Sequence, residues 1–361
     1  MKLQKNVFAS LLLLALVVVG FASCSDDDNK SESNNSVLSN VYVLSSGKQG
    51  SNTAVLLNYN PETGKTSNLF EAANGVKLGD TGQDMISYGN KIYVAVYGSK
   101  KIYVLDKTGK KLGEITGDEA IFTPRMLEAY NGKVYVTLFS GHVARIDTTS
   151  LQVDKTIAVG LNPEYLKVVR NKLYVANSGG MNYQNGYDNR VSVLDIDLTK
   201  REDIEVAVNP VELQVDKYNN LYLVSRGNYK TVPNTLQSIN TTTNEVKVLA
   251  TDRSFSIYTV SNRLYMLDKR YDANYKPTSN FLYWDIPAQK IVEQSFITDE
   301  YANKLPDVYF VTVEPKSGNF YVTVANGSNN GDVYIFSPGG KFISKFDTGS
   351  AYPVKVIFVY K

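Results

Sequence analysis

After residue 37 the chain alternates short apolar stretches with polar turns, and one phrase keeps returning. A turn containing Asn or Gly leads into an apolar residue, a tyrosine and a second apolar residue: "SNVYVLSSG", "NKIYVAVYG", "GKVYVTLFSG", "NKLYVANSGG", "NNLYLVSRG", "NRLYMLDKR" and "GNFYVTVANG". The tyrosines are Tyr42, Tyr93, Tyr135, Tyr174, Tyr222, Tyr265 and Tyr321, spaced 39 to 56 residues apart. A mean period of about 46 residues is the size of one four-stranded propeller blade.

Each repeat divides the same way. In the fourth, "PEYLKVV", "KLYVANS", "RVSVLDI" and "IEVAV" read as four short strands separated by turn signals. The second strand is apolar on both faces, Leu173 and Val175 on one, Tyr174 and Ala176 on the other. A sheet with one wet face alternates apolar and polar; here both faces need cover, as they do when blades stack around a channel. A sandwich or barrel would also be all-β but does not predict seven copies of one phrase. The pattern therefore predicts an all-β, seven-bladed β-propeller of four-stranded antiparallel blades. The repeated tyrosines are core residues, their phenols reaching polar partners at the blade edge. The phase is offset. The folded chain begins with a second strand, "VYVLSSG", and ends with a first strand, "YPVKVIFVYK". Val354–Tyr360 should thus complete the blade begun by Val41–Leu44 and close the ring.

The N-terminal pattern is different. Lys2 and Lys5 precede the apolar run "VFASLLLLALVVVGFAS", and then comes Cys24, the single cysteine. A charged start, an apolar middle and small residues before a cut describe a secretory signal over 1–23. The alternative is a retained transmembrane helix, but the run is near the lower limit of a span and no Lys/Arg stop-transfer cluster follows. Residues 24–36 are polar and read as a flexible tether, with the fold over 37–361.

Composition narrows the chemistry. Removing 1–23 takes away two lysines and leaves 36 basic against 36 acidic residues. A balanced chain carries no electrostatic footprint for nucleic acid or for an anionic membrane surface. The lone histidine, His142, with no second His and no free Cys, supports neither a zinc site nor a Ser-His-Asp relay. The loop "NYQNGYDN" could hold calcium, but not in EF-hand spacing. "NPETGK" at 60–65 is a turn and lacks the glycine pattern of a phosphate loop. The expectation is no catalytic residues, no resident metal and no required cofactor.

Candidate binding residues concentrate on one face. Loops between second and third strands, and segments leading into first strands, surround the channel mouth. Four of the former are long: "SSGKQGSN", "NSGGMNYQNGYDN", "SRGNYKTVPNT" and "DKRYDANYKPTSN". They carry Lys48, Tyr183, Tyr187, Arg226, Tyr229, Arg270, Tyr271 and Tyr275; the segments leading into first strands add Gln83, Asp84, Arg125 and Asp307. Tyrosine gives contact area at low entropy cost, and Asn, Gly and Arg give adaptable hydrogen bonds. The expected ligand is bulky, near-neutral and rich in polar groups; a glycan, a peptide or a large cofactor fits.

Several phrases carry a resemblance. "FASC" resembles a lipobox, with Phe21 in place of the usual leucine, and "SDDDNK" resembles the acidic export tag of Bacteroides-type surface lipoproteins. The resemblance implies lipidation at Cys24 and an outer-membrane, lipid-anchored, surface-exposed protein. "YVANSGG", "LNPEYLKVV" and "RIDTTSLQVDKTIAVG" resemble the YVTN/YncE-like seven-bladed propellers. "KLGDTGQDM", "VARIDTTSL" and "SRGNY" resemble the cobalamin-capture (BtuG) group of surface lipoproteins. That resemblance implies capture of cobalamin (vitamin B12) or another corrinoid and hand-over to a TonB-dependent outer-membrane transporter. The alternatives are a surface propeller for a glycan or other nutrient, or an enzyme.

Overall fold

A computed structural model describes residues 36–253, 256–271, 274 and 277–361, apart from the side chain of Tyr271. The expected signal and lipid site at Cys24, all of the tether but Ser36, and Tyr275 lie outside the described residues. Seven four-stranded antiparallel sheets form a ring: the chain is a seven-bladed β-propeller. The innermost strands, from blade one to blade seven, are Pro353–Tyr360, Gly82–Tyr88, Pro124–Tyr130, Pro163–Val169, Pro210–Val215, Ser256–Val260 and Asp307–Val313.

Closure follows the expected phase. The C-terminal strand pairs antiparallel with Leu38–Ser45, aligning Val41 with Phe358, Tyr42 with Ile357 and Val43 with Val356. Blade one therefore joins both ends of the described chain, and no inner edge strand is left unpaired.

Second strands are buried on both faces, as their composition requires: Leu173, Tyr174, Val175 and Ala176 have no exposed surface. The repeated tyrosines pack in the seams between blades. Three of their phenols donate to main-chain carbonyls of the next blade, Tyr42 to Lys107 (2.6 Å), Tyr135 to Ile196 (2.7 Å) and Tyr174 to Thr241 (3.3 Å). Tyr222 instead bonds Asp216 of its own blade at 3.1 Å. Tyr93 departs from the expected pairing. Its hydroxyl is buried without a hydrogen-bond partner among the described residues, and burial, with smaller contributions from Tyr88 and Asp147, pushes it up to about 12.

Turns on the face away from the site are closed by Asx side chains. Asn60 accepts from the amides of Glu62 and Thr63, and Asp147 from those of Thr149 and Ser150. "NPETGK" is such a turn.

Candidate binding site at the channel mouth

The long loops of blades one, four and five are stapled to the channel mouth by a repeated pair of main-chain hydrogen bonds. Ser46 and Gly47 donate to Tyr352 and Ala351, Ser178 and Gly179 to Asn162 and Leu161, and Arg226 and Gly227 to Asn209 and Val208, at 2.8 to 3.2 Å. The three glycines have φ of 72°, 62° and 62°. A Cβ there would overlap the backbone of Thr53, Asp188 and Val232 respectively. Only glycine fits a left-handed position so closely approached, which explains the phrases "SSG", "NSG" and "SRG".

The acceptors Asn162, Asn209 and Tyr352 also have positive φ (45°, 63° and 58°), as does Thr81 (59°) in blade two. Asn tolerates this region; a β-branched or aromatic residue is strained in it. Gly or Pro follows each: Gly82, Pro163, Pro210 and Pro353. The ladder then slips at once, between Gly82 and Asp84, Pro163 and Leu166, Pro210 and Glu212, and across Val354, with the same slip in blades three and seven. Each bulge re-aims the side chains beside it.

Those side chains converge across the ring. Tyr309 of blade seven acts on the charge of Arg125 in blade three. Lys355 of blade one acts on Glu212 in blade five, and Asp84 of blade two on Tyr165 in blade four. Blades that are not neighbours meet only across the central channel.

Most charges in the channel wall are matched. Arg125 bonds Glu164 at 2.5 Å and also Gln83, and its guanidinium lies 4.9 Å from the Phe139 ring centroid. Burial works against its charge, but Glu164 outweighs this and holds its pKa above the ordinary value. Lys355 reaches Asp84 at 2.8 Å, and Asp84 also accepts the Leu127 amide at 2.9 Å. Here too burial is outweighed by the carboxylate, and the lysine is raised. Further along the inner strands Lys167 pairs with Glu128 at 2.6 Å, and at the start of the blade-seven strand Asp307 pairs with Lys269.

Glu212 differs. It is 3 % exposed and accepts from the Ser256 hydroxyl at 3.2 Å and from the Ile257 amide. Burial dominates and lifts its carboxyl to about 7, against the opposing pull of Ser256, Arg226, Ile257 and Lys355.

The expected residues divide into groups. Asp84 and Arg125 line the channel. Tyr183 and Tyr229 stand on the outer surface at 60 % and 61 % exposure, and Tyr187 meets Tyr229 edge-on at 6.1 Å. The blade-four loop is ordered by a short helical turn, Gly180–Asn185, and by Asp188, which bonds Arg190 and the Leu161 amide. Asn228 accepts three successive amides, from Lys230 to Val232, and so shapes the Tyr229 loop. Arg226 is half-buried beneath these loops and acts on Glu212.

Lys48 stands apart. It is exposed beside a rim cleft that Glu71, Lys77 and Asn330 also line, where blades one and seven meet. The blade-six segment is mostly not a loop. Asp268–Tyr271 pairs with Pro277–Asn280, extending the hairpin. Arg270 is therefore a strand residue, tied to Asp268 at 3.3 Å and to the Asp252 carbonyl at 2.6 Å; Tyr271 ends that strand. His142 bonds Ser140 at 3.2 Å. Among the described residues no group of three His, Cys, Asp or Glu could hold a metal ion.

Glu164, Tyr165, Glu212 and Lys355 were not expected. Their signal was present: in "NPEYLKVV", "NPVELQV" and "YPVKVIF" a charged residue follows the proline by one or two positions on an otherwise apolar strand.

No family model matches the sequence, and no curated protein matches it. Solved structures share the fold. A protein of Bacteroides fragilis named "putative 6-phosphogluconolactonase" superposes with TM-score 0.62 at 12 % identity, over 89 % of this chain and 98 % of that one. The computationally designed Ika8 protein gives 0.51 at 10 % identity, over 87 % and 89 %. A chain of the mitotic checkpoint complex gives 0.52 at 14 % identity, over 73 % and 79 %. At these identities the likeness is one of fold.

Proposed function

We propose that this propeller is a binding protein rather than an enzyme. It is a lipid-anchored protein of the outer-membrane surface that captures cobalamin or a related corrinoid and passes it to a TonB-dependent transporter. The observation carrying the reading is the surface tyrosine group, exposed Tyr183 and Tyr229 with half-buried Tyr187 against Tyr229, beside a channel whose cations are largely matched by carboxylates. Aromatic faces suit a large, amphipathic ligand. Paired charges favour a ligand near neutrality, because a charged one would have to break an existing pair. The phrases shared with the cobalamin-capture group select the corrinoid among such ligands.

The test is direct. Purified protein mixed with cyanocobalamin and desalted should stay pink, and titration calorimetry should give saturable heat at micromolar concentration. A colourless protein without heat rejects corrinoid capture and leaves a glycan or other nutrient as the ligand, which a glycan-array screen would identify. The transporter is tested by co-purification from outer membranes solubilised with the ligand present.

A catalytic reading has one observation in its favour: Glu212, a buried carboxyl that titrates near neutrality and so suits acid–base work. The name carried by the Bacteroides fragilis neighbour points the same way. It requires turnover of a lactone or sugar acid that disappears in Glu212→Gln.

A further inference from the structure

Below the tyrosines, one part of the channel wall has hydrogen-bonding capacity left over. Tyr165 lies within the blade-four bulge, two residues after Pro163, and Glu212 stands two residues after Pro210 at the end of the blade-five bulge. The Tyr165 hydroxyl forms no hydrogen bond with a described residue. Its surroundings are set by Glu212, Asp84 and Glu164, with Arg125 opposing them. Glu212 accepts two hydrogen bonds, from Ser256 and Ile257; ionised, above pH about 7, a carboxylate has about four acceptor positions, and protonated it still keeps acceptor capacity. The pair thus presents one donor without a protein partner, on a half-buried side chain open to the channel, and one acceptor with spare capacity, Glu212, buried where an unsatisfied polar group is costly.

The charges around the pair restrict what completes it. An anion would approach Glu212, Asp84 and Glu164, while Arg125 and Lys355 are already engaged by carboxylates. A cation would meet Arg226 and Lys355, both of which act on Glu212. An uncharged group that accepts from Tyr165 and donates to Glu212 satisfies both without a charge penalty.

We propose that Tyr165 and Glu212 form a donor–acceptor subsite in the channel wall that takes a neutral group able both to accept and to donate, a carboxamide or a sugar hydroxyl. This rests on the channel mouth being the ligand site, and it decides which end of the ligand enters first. The tyrosines hold the broad face of the ligand, and one neutral polar arm reaches down to the pair. The same subsite serves a corrinoid through a side-chain amide or a glycan through a hydroxyl, so the probes below separate the two sources.

The test uses purified protein carrying 13C at Tyr Cζ and Glu Cδ, titrated with small probes and followed by NMR. Propionamide and propane-1,2-diol stand for the two neutral sources; propionate and propylammonium are the charged controls. Saturable shifts of the Tyr165 and Glu212 signals with a neutral probe, lost in Tyr165→Phe, support the subsite. A larger response to propionamide assigns an amide arm, and one to the diol a hydroxyl. No response to either neutral probe, an equal response to propionate, or an undiminished response in Tyr165→Phe overturns it. In parallel, Tyr165→Phe and Glu212→Gln should each weaken cyanocobalamin binding about tenfold. Unchanged affinity in both variants overturns the subsite while corrinoid capture stands. Absent cyanocobalamin binding in the unsubstituted protein ends the corrinoid reading, and the small-probe titration still judges the subsite.

Discussion

Glu212 keeps its proton to an uncommonly high pH because the fold removes water from it without supplying a direct cationic partner. The ordinary carboxyl value is 4.5 and the folded one about 7. Between those values the folded state holds a proton that the unfolded chain has released. Stability conferred by this group is therefore largest at low pH and declines as pH rises from about 4.5 to about 7, then levels off. The shift corresponds to a loss on the order of 3 kcal/mol. Glu212→Gln removes the titration and keeps the shape. Relative to the unsubstituted protein, the variant should gain stability between pH 5 and pH 8, read from urea midpoints at both values. Parallel pH profiles for the two proteins would contradict the account. The lowered carboxylates, Asp203 and Glu314 among them, act at lower pH in both proteins and cancel in the comparison.

At the scale of elements, the channel mouth is made by repetition of one device. A glycine staple pins each of three long loops to the segment leading into an inner strand, and a bulge then turns the next side chains toward the axis. The loop Ser178–Asn189 has its ends tied down, Ser178 to Asn162 and Asp188 to Ser178, Leu161 and Arg190. Tyr183 sits on the short helical turn between those anchors and is mostly exposed. Replacing Tyr183 and Tyr187 together with alanine should leave the melting temperature within a few degrees of the parent, as expected for an exposed and a half-buried residue on a surface loop. Ligand affinity should fall tenfold or more, as loss of aromatic anchors does. Loss of the folded state in the double variant would make these tyrosines structural instead.

At the scale of the whole molecule, ring closure and site construction share one strand. Pro353–Tyr360 supplies the innermost strand of blade one and pairs along Leu38–Ser45. It also carries Lys355, which neutralises Asp84 of blade two. Deleting 352–361 would uncover Val41 and Val43, both fully buried, open the ring at two edges and strand the buried Asp84 charge. The expected outcome is a protein without a cooperative thermal transition by circular dichroism. A truncated chain that melts like the parent would refute closure by this strand.

Periodicity determined the architecture from sequence alone. Blade number, blade phase and the closing strand follow from where apolar pairs and tyrosines recur, because every blade solves the same packing problem with the same local signals. The staple phrases "NSGG" and "SRGN" were equally visible, since positive φ and close backbone approach demand glycine. The tyrosine loops were legible as aromatics that no strand pattern could absorb. The channel wall was not. Arg125 finds Glu164 39 residues away, and Lys355 finds Asp84 across the closure of the ring. Whether a charged side chain on an inner strand points to solvent, to a partner or to the axis depends on a one-residue bulge. Only the closed ring, by bringing seven such strands around one axis, decides which charges cancel and leaves Tyr165 and Glu212 with bonds to offer.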